Sequence, residues 1–258
     1  MIGTGFVPTM GALHEGHLSL IQKSKSENDR TVVSIFVNPT QFRPGEDLEK
    51  YPRRFEKDCE MAASAGADLI FAPSTKEIYG EFPTKIHVPF VTEMFEGTTR
   101  PGHFEGVATI VAKLFNIVSP KNAYFGEKDL QQCSVIKKLV KDLNFSINII
   151  ICDTFREESG LAKSSRNAYL SEDELRVAPL LYKALIEAKT ALINGTSCQI
   201  TIENSKSFLT NNIFSVDYFE LVDRETMQPL IAINDHASLI VAASLGATRL
   251  IDNVRVVG

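Results

Sequence analysis

The chain has 258 residues, 44% of them hydrophobic, enough for one large buried core or two ordinary ones. A formal charge of −5 argues against nonspecific nucleic-acid binding, which leaves a basic footprint, although a local basic cleft stays open. The apolar runs, such as Val32–Val37 and Ile147–Cys152, are of strand length and far short of a bilayer span.

Cys59, Cys133, Cys152 and Cys198 are scattered without a Cys-x-x-Cys pair, which reads as plain thiols in a reducing compartment. No charged n-region followed by an apolar h-region opens the chain, so no secretion signal is read and a cytoplasmic protein is expected.

In chain order, the short apolar run Gly5-Phe6-Val7 predicts a strand. Pro8-Thr9-Met10-Gly11-Ala12-Leu13-His14-Glu15-Gly16-His17 then predicts a turn through small residues into a helix carrying Leu18 and Ile21. Thr31–Val37 is β-branched and aromatic and reads as a buried strand, stopped by Asn38-Pro39-Thr40-Gln41-Phe42. Arg53–Ala65 is expected to be a helix with Phe55, Cys59 and Ala62 on one face, followed by a short strand at Asp68–Phe71.

Lys76–Arg100, with Pro83, Pro89 and Gly97, is poorly periodic; a loop with short strands near the sheet edge is expected there. Val107, Ile110, Val111, Leu114 and Val118 mark a helix over Gly106–Val118. A strand at Ala123–Phe125 stops at Gly126-Glu127-Lys128-Asp129, and a helix with Ile136, Leu139, Val140 and Leu143 leads to a strand at Ile147–Cys152. Strands alternating with helices predict a Rossmann-like, doubly wound parallel α/β sheet, whose ligands sit at the strands' C-terminal ends.

After Cys152 the pattern changes. Arg156–Tyr169 is polar, and Ser171-Glu172-Asp173-Glu174 is a capping box for a helix with Leu175, Ala178, Leu181, Leu185 and Leu192 inward. A second helix and strands at Val216–Val222, Leu239–Leu245 and Arg249–Val256 follow. The expected organisation is a sheet domain over residues 1–155 and a smaller C-terminal α+β domain over 156–258.

The motifs carry chemistry. His14 and His17 stand three apart at a helix start, where imidazole N–H groups can meet a phosphate and the turn's backbone N–H groups can add to the grip. A zinc site is the alternative, but the spacing is not the four-apart type and no third ligand lies nearby in sequence. Solvated histidines at a helix start are the bland alternative.

Lys163-Ser164-Ser165-Arg166 is either a polar linker or a clamp for a polyphosphate. Lys128, after a strand, suits a phosphate, and Asp129 a ribose hydroxyl. Gln41 and Gln132 are amides that both donate and accept, suiting a small hydroxy acid.

Taken together, these motifs make the chain resemble the pantoate–β-alanine ligase family of the HxGH nucleotidyltransferases. The resemblance runs through Pro8–His17, Ser34–Phe42, Arg100–Gly106, Tyr124–Gln132, Arg156–Leu170 and Arg249–Asn253. It implies ATP-dependent joining of pantoate to β-alanine through a pantoyl adenylate. It further implies Mg²⁺ bound mainly through the phosphates, no metal ligands on the protein, no nucleic-acid or membrane partner, and a homodimer.

Residue by residue, the resemblance implies that Met10, Gly11, Ala12, Leu13, His14, Glu15, Gly16 and His17 line the ATP site, His17 as proton donor and His14 on the phosphates. Gly126, Glu127, Lys128 and Asp129 would hold the nucleotide, Lys128 on the phosphates, and Phe155 would touch the adenine side by its backbone. Lys163, Ser164, Ser165 and Arg166 would close over the triphosphate. Gln41 and Gln132 would hold pantoate, and Gln41 would also lie near β-alanine.

Three departures from the family pattern stand out. The resemblance implies a helical segment before the first strand, and this sequence begins almost at the strand, which is expected to bear on stability and not on chemistry. Lys163 replaces a common Met and is expected to add a phosphate contact. Leu130 replaces a common aromatic, with a packing consequence only. Two other readings are a different HxGH adenylyltransferase, which would want cations where Gln41 and Gln132 stand, and an ATP-binding regulator without catalysis.

Overall fold

The computed structural model describes residues 3–43, 45–81 and 84–257, so Pro83 lies outside it. The chain divides into two compact units, one formed by Met1–Glu127 with Gln131–Asp153, the other by Lys128–Leu130 with Thr154–Gly258.

The first unit is built on a five-stranded parallel sheet of order β3-β2-β1-β4-β5, from β1 (Thr4–Thr9), β2 (Arg30–Ile35), β3 (Leu69–Phe71), β4 (Asn122–Gly126) and β5 (Asn148–Cys152). Its main helices are α1 (Glu15–Glu27), α2 (Phe55–Ser64), α5 (His103–Val118) and α6 (Leu130–Asp142). The chain runs outward from β1 in one direction and then restarts at β4 on β1's other side. The β1/β4 pair, registered through Gly5↔Asn122 and Phe6↔Ala123, is therefore the switch point of the sheet, where ligands collect in such folds.

Both faces of the sheet are covered. Phe6 and Phe125 pack with Val107, Val111, Phe115, Ile136 and Leu139 on one side. Their strand neighbours Val7 and Tyr124 pack with Leu20, Ile21 and Ala62 on the other. Strand alternation thus buries every central side chain, and each large one contributes roughly 1.5–3 kcal/mol.

Three expectations are corrected in this unit. Lys76–Arg100 forms no strand among the described residues; it holds two short helices, α3 (Thr75–Tyr79) and α4 (Glu96–Thr99). The first starts at a capping box in which Ser74 accepts from Glu77 N–H and the Glu77 carboxylate accepts from Ser74 N–H. On α2 the inward residues are Asp58 and Ala62, Cys59 is half-buried and Phe55 is 48% exposed. Leu143 is likewise exposed, because α6 has already ended at Asp142.

The second unit pairs helices α8 (Leu180–Ile193) and α9 (Cys198–Asn211) with an antiparallel sheet β6-β7-β8 at Ser215–Asp223, Ala237–Leu245 and Thr248–Arg255. Leu181, Leu185, Leu209, Phe219, Leu221 and Leu239 fill its core. The single helix expected after Ser171 is two: α7 (Glu172–Val177) ends before Pro179, which has no N–H to continue the ladder, and α8 begins after it. Leu175 consequently faces outward.

Candidate active site

The opening turn leaves the C-terminal end of β1 with Gly11 at φ +77° and Ala12 at φ +51°, two successive left-handed residues. Ala12 in that region is costly, so something must hold the turn. That something is Asp58, from α2. Its Oδ2 accepts from Ala12 N–H at 2.8 Å and its Oδ1 from Leu13 N–H at 2.8 Å. Gly11 N–H donates to Thr9 Oγ1 at 3.2 Å.

The backbone grip expected of this turn is therefore corrected. The N–H groups of residues 11, 12 and 13 are bonded within the protein, and an internal carboxylate already occupies the anion seat. Within the turn proper those three groups are already taken, which leaves the first turn of α1 and the side chains to face a phosphate.

His14 is the residue preceding α1, and its N–H donates to His17 Nδ1 at 3.3 Å, so the third residue of the helix caps its own N-terminus. An accepting Nδ1 puts the proton of the neutral ring on Nε2, the opposite edge. The two rings lie 4.1 Å apart between centroids at 40°, so His14 and His17 act as one imidazole pair.

Gln41 ends a 3₁₀ turn at Pro39–Gln41 after β2 and is buried. Its Nε2 touches Met10 Sδ at 2.8 Å, which brings it beside the opening turn, and its Oε1 accepts from Asn38 Nδ2 at 3.0 Å. Asn38 is fixed in turn by Tyr79 Oη, which donates to Asn38 Oδ1 at 2.6 Å, and by Gly106 O, which accepts at 3.1 Å. Gly106 has to be glycine: a Cβ there would stand 2.5 Å from Thr40 O.

The backbone of Gln41 is gripped as well. His103 Nδ1 lies 2.8 Å from Gln41 O, and His103 Nε2 lies 3.1 Å from Arg100 Nη1, while Arg100 forks onto Glu46 at 2.9 and 2.7 Å. Nδ1 must then donate and Nε2 accept, which is the neutral ring. Desolvation, with Arg100 beside it, pushes His103 down to about 4 from 6.5.

This has a stability consequence with a definite sign. Between pH 6.5 and pH 4 the unfolded chain binds a proton at His103 that the folded chain refuses, so stability falls as pH falls through that window. The loss is expected to reach about 3 kcal/mol at most. Urea unfolding at pH 7 and pH 4.5 checks it: the wild type should lose more stability between these points than His103→Gln, and equal losses would be evidence against the assignment.

Gln132 is half-buried near the start of α6. Its neighbour Gln131 is structural: Nε2 donates to Val91 O and Met94 O at 2.9 and 2.8 Å, and Oε1 accepts from Glu96 N–H at 3.0 Å. Gly126 closes β4 and Glu127 is buried just beyond it, at the switch point.

In the second unit, Lys128 and Asp129 share a 3₁₀ turn, with Lys128 Nζ 3.5 Å from Asp129 Oδ1 and Lys128 O held by Asn253 Nδ2 at 3.0 Å. Phe155 O accepts from Lys163 N–H at 2.9 Å, closing a small hairpin bridged at Arg156↔Ala162. Lys163 Nζ lies 3.4 Å from Glu157 Oε1, so it already has an acidic neighbour. Ser164 Oγ accepts from Arg166 N–H at 3.3 Å, capping the 3₁₀ turn Ser165–Tyr169 and keeping its own proton to donate.

Asn38, Asp58, Arg100 and His103 were not marked as functional by sequence reasoning. Each acts across a long stretch of chain: Asn38 on Gly106, Asp58 on Ala12, Arg100 on Glu46 and His103 on Gln41.

A parallel α/β unit with an imidazole pair at the β1/β4 switch point describes an enzyme that handles a small polar ligand. The model of the pantoate–β-alanine ligase family matches residues 2–255, and the chain belongs to that family. It is 50% identical over 253 residues to a pantothenate synthetase of Caldicellulosiruptor saccharolyticus, covering 97% of this chain and 90% of that one. The crystal structure of pantothenate synthetase from Thermus thermophilus superposes with TM-score 0.96 at 46% identity, covering 99% of this chain and 94% of that one. The Francisella tularensis pantoate–β-alanine ligase, solved with a β,γ-ATP ligand and β-alanine, superposes with TM-score 0.83 at 39% identity over 99% and 90%. The chain is accordingly a ligase that joins pantoate to β-alanine with ATP as co-substrate.

Proposed function

We propose that His14 and His17 are the catalytic pair of this ligation. The pantoate carboxylate attacks the α-phosphorus of ATP and pyrophosphate leaves; the β-alanine amine then attacks the acyl carbon of the pantoyl adenylate and AMP leaves. Neither step needs a protein nucleophile. Both need positioning and donors where charge develops.

The observation that carries the reading is the His14 N–H to His17 Nδ1 contact, which leaves the His17 proton on Nε2 as a donor to a phosphoryl oxygen. The His14 ring lies 4.1 Å from that of His17 between centroids, and in this reading it takes the phosphates beside it.

Gln41 takes pantoate and β-alanine, its amide pre-set by Met10 and Asn38, and Gln132 takes pantoate. Met10–His17 and Gly126–Glu127 line the nucleotide in the first unit. From the second unit, Lys128, Asp129, Phe155, Lys163, Ser164, Ser165 and Arg166 take the nucleotide roles that the family resemblance implies, with Lys163 exchanging Glu157 for phosphate. Magnesium enters as part of the nucleotide. In this reading the ion is carried mainly by the phosphates, with water completing its oxygen shell.

No helix among the described residues is long and apolar enough to cross a membrane. The proposed setting is the cytoplasm, and the proposed assembly a homodimer.

The test is AMP formation from ATP and magnesium with pantoate and β-alanine, omitting each in turn. AMP is expected only when both acids are present in multiple turnover, and a single adenylate equivalent when β-alanine is missing. AMP appearing equally without pantoate would sink the reading.

A further inference from the structure

We propose that Asp58 is a positioning residue of the active site, acting through the opening turn to set the His17 ring. The proposal deepens the reading of His17 given above and rests on it for its kinetic part only.

Asp58 is 2% exposed, and both its carboxylate oxygens are spent on one dipeptide, Ala12 and Leu13, at 2.8 Å each. Neither N–H can turn to water instead, since Ala12 is 1% and Leu13 3% exposed. A buried carboxylate forked onto two adjacent N–H groups is a charge-assisted, directional clamp, and it fixes the orientation of the next peptide along. That next N–H belongs to His14, and it is the donor to His17 Nδ1. The chain of command is short: Asp58 holds residues 12 and 13, they aim His14 N–H, and His14 N–H selects the His17 tautomer.

A second feature shows how close the fit is. Gly11 sits at φ +77°, and a Cβ there would come 2.9 Å from Asp58 Oδ2 and 3.2 Å from Ile35 Cγ2. The same carboxylate that anchors the turn therefore excludes any side chain at Gly11. The carboxylate also fills the anion seat made by the N–H groups of Ala12 and Leu13, so the anion of this nest is part of the protein.

Asp58→Asn tests this, because the amide keeps the shape but must present Nδ2–H to one of the two N–H groups. In the full-length protein, ¹⁵N-histidine NMR should show the wild-type His17 with an unprotonated Nδ1 and a protonated Nε2. Asp58→Asn should show a mixture of tautomers and at least a tenfold slower single-turnover adenylate formation, with KM for pantoate changed less than threefold. Should that variant fail to fold, Gly11→Ala displaces the same carboxylate from the turn side with Asp58 intact, and it should give the same tautomer mixture.

A folded Asp58→Asn protein with the wild-type tautomer overturns the proposal, whatever its rate. Inertness of a His17 substitution would instead overturn the role of His17, leaving the NMR result to judge Asp58 alone.

Discussion

Replacing His17 by alanine is expected to slow pantoyl adenylate formation about a hundredfold or more, the scale on which loss of a transition-state donor is felt. The effect should fall on kcat and not on the KM for pantoate, because Gln41 is held by Met10, Asn38 and His103 independently of the His17 ring. His17→Ala also removes the acceptor for His14 N–H, so the start of α1 loses its cap. That costs about 1 kcal/mol of stability, far too little to account for a hundredfold loss through unfolding. Rapid-quench measurement of the adenylate in a single turnover, beside a urea titration, separates the two. A rate within threefold of wild type would take His17 out of the mechanism.

How far the sequence could be read depended on the range of the interaction. The parallel sheet was legible because alternation of β-branched strands with apolar-striped helices is a local pattern, as in Thr31–Val37 and Gly106–Val118. The opening motif was legible because a strand, small residues and two histidines lie together in one stretch. What failed was of two kinds.

Some local signals were present and passed over. Pro179 splits the helix expected after Ser171, and Ser74 with Glu77 is a capping box at the entry to Lys76–Arg100, where loop and edge strands are expected. Others had no local signal at all. Asp58 bonds to Ala12 across 46 residues and Arg100 to Glu46 across 54. His103 stands before the helix expected from Gly106, and only the structure shows its ring between Gln41 O and Arg100 at the start of α5.

The expectation about the turn's backbone is narrowed for the same reason: the N–H groups of Gly11, Ala12 and Leu13 are bonded internally. Small residues before a helix announce available N–H groups, but only the packing of α2 shows that they are already taken.

The second large effect is expected at Arg156 and Asp252, inside the smaller unit. The pair is bidentate, at 2.7 and 2.9 Å, and buried, with side chains 17% and 3% exposed. Arg156 also donates to Gly160 O and Asn253 O at 3.0 and 3.1 Å and lies 3.8 Å above the Tyr182 ring. Burial pushes the Asp252 carboxyl upward, against the pull of Arg156.

Arg156→Met fills much of the same volume but leaves that carboxylate buried without its counter-ion. Removing one partner of such a pair costs about 3–5 kcal/mol. The cost carries a pH signature that a mere packing defect lacks. Without Arg156 the folded state takes up a proton at Asp252 at a pH where the unfolded carboxyl, near 3.9, is still ionised, so the variant's stability should rise as pH falls. The deficit against wild type is therefore expected to be largest at pH 8 and smaller at pH 5. Asp252→Asn added to Arg156→Met should recover part of it, since the amide oxygen can still accept from Asn253 N–H, which bonds Asp252 Oδ1 at 2.8 Å. A deficit independent of pH, with no recovery in the double variant, would mean that Arg156 contributes by covering Tyr182 and not by neutralising Asp252.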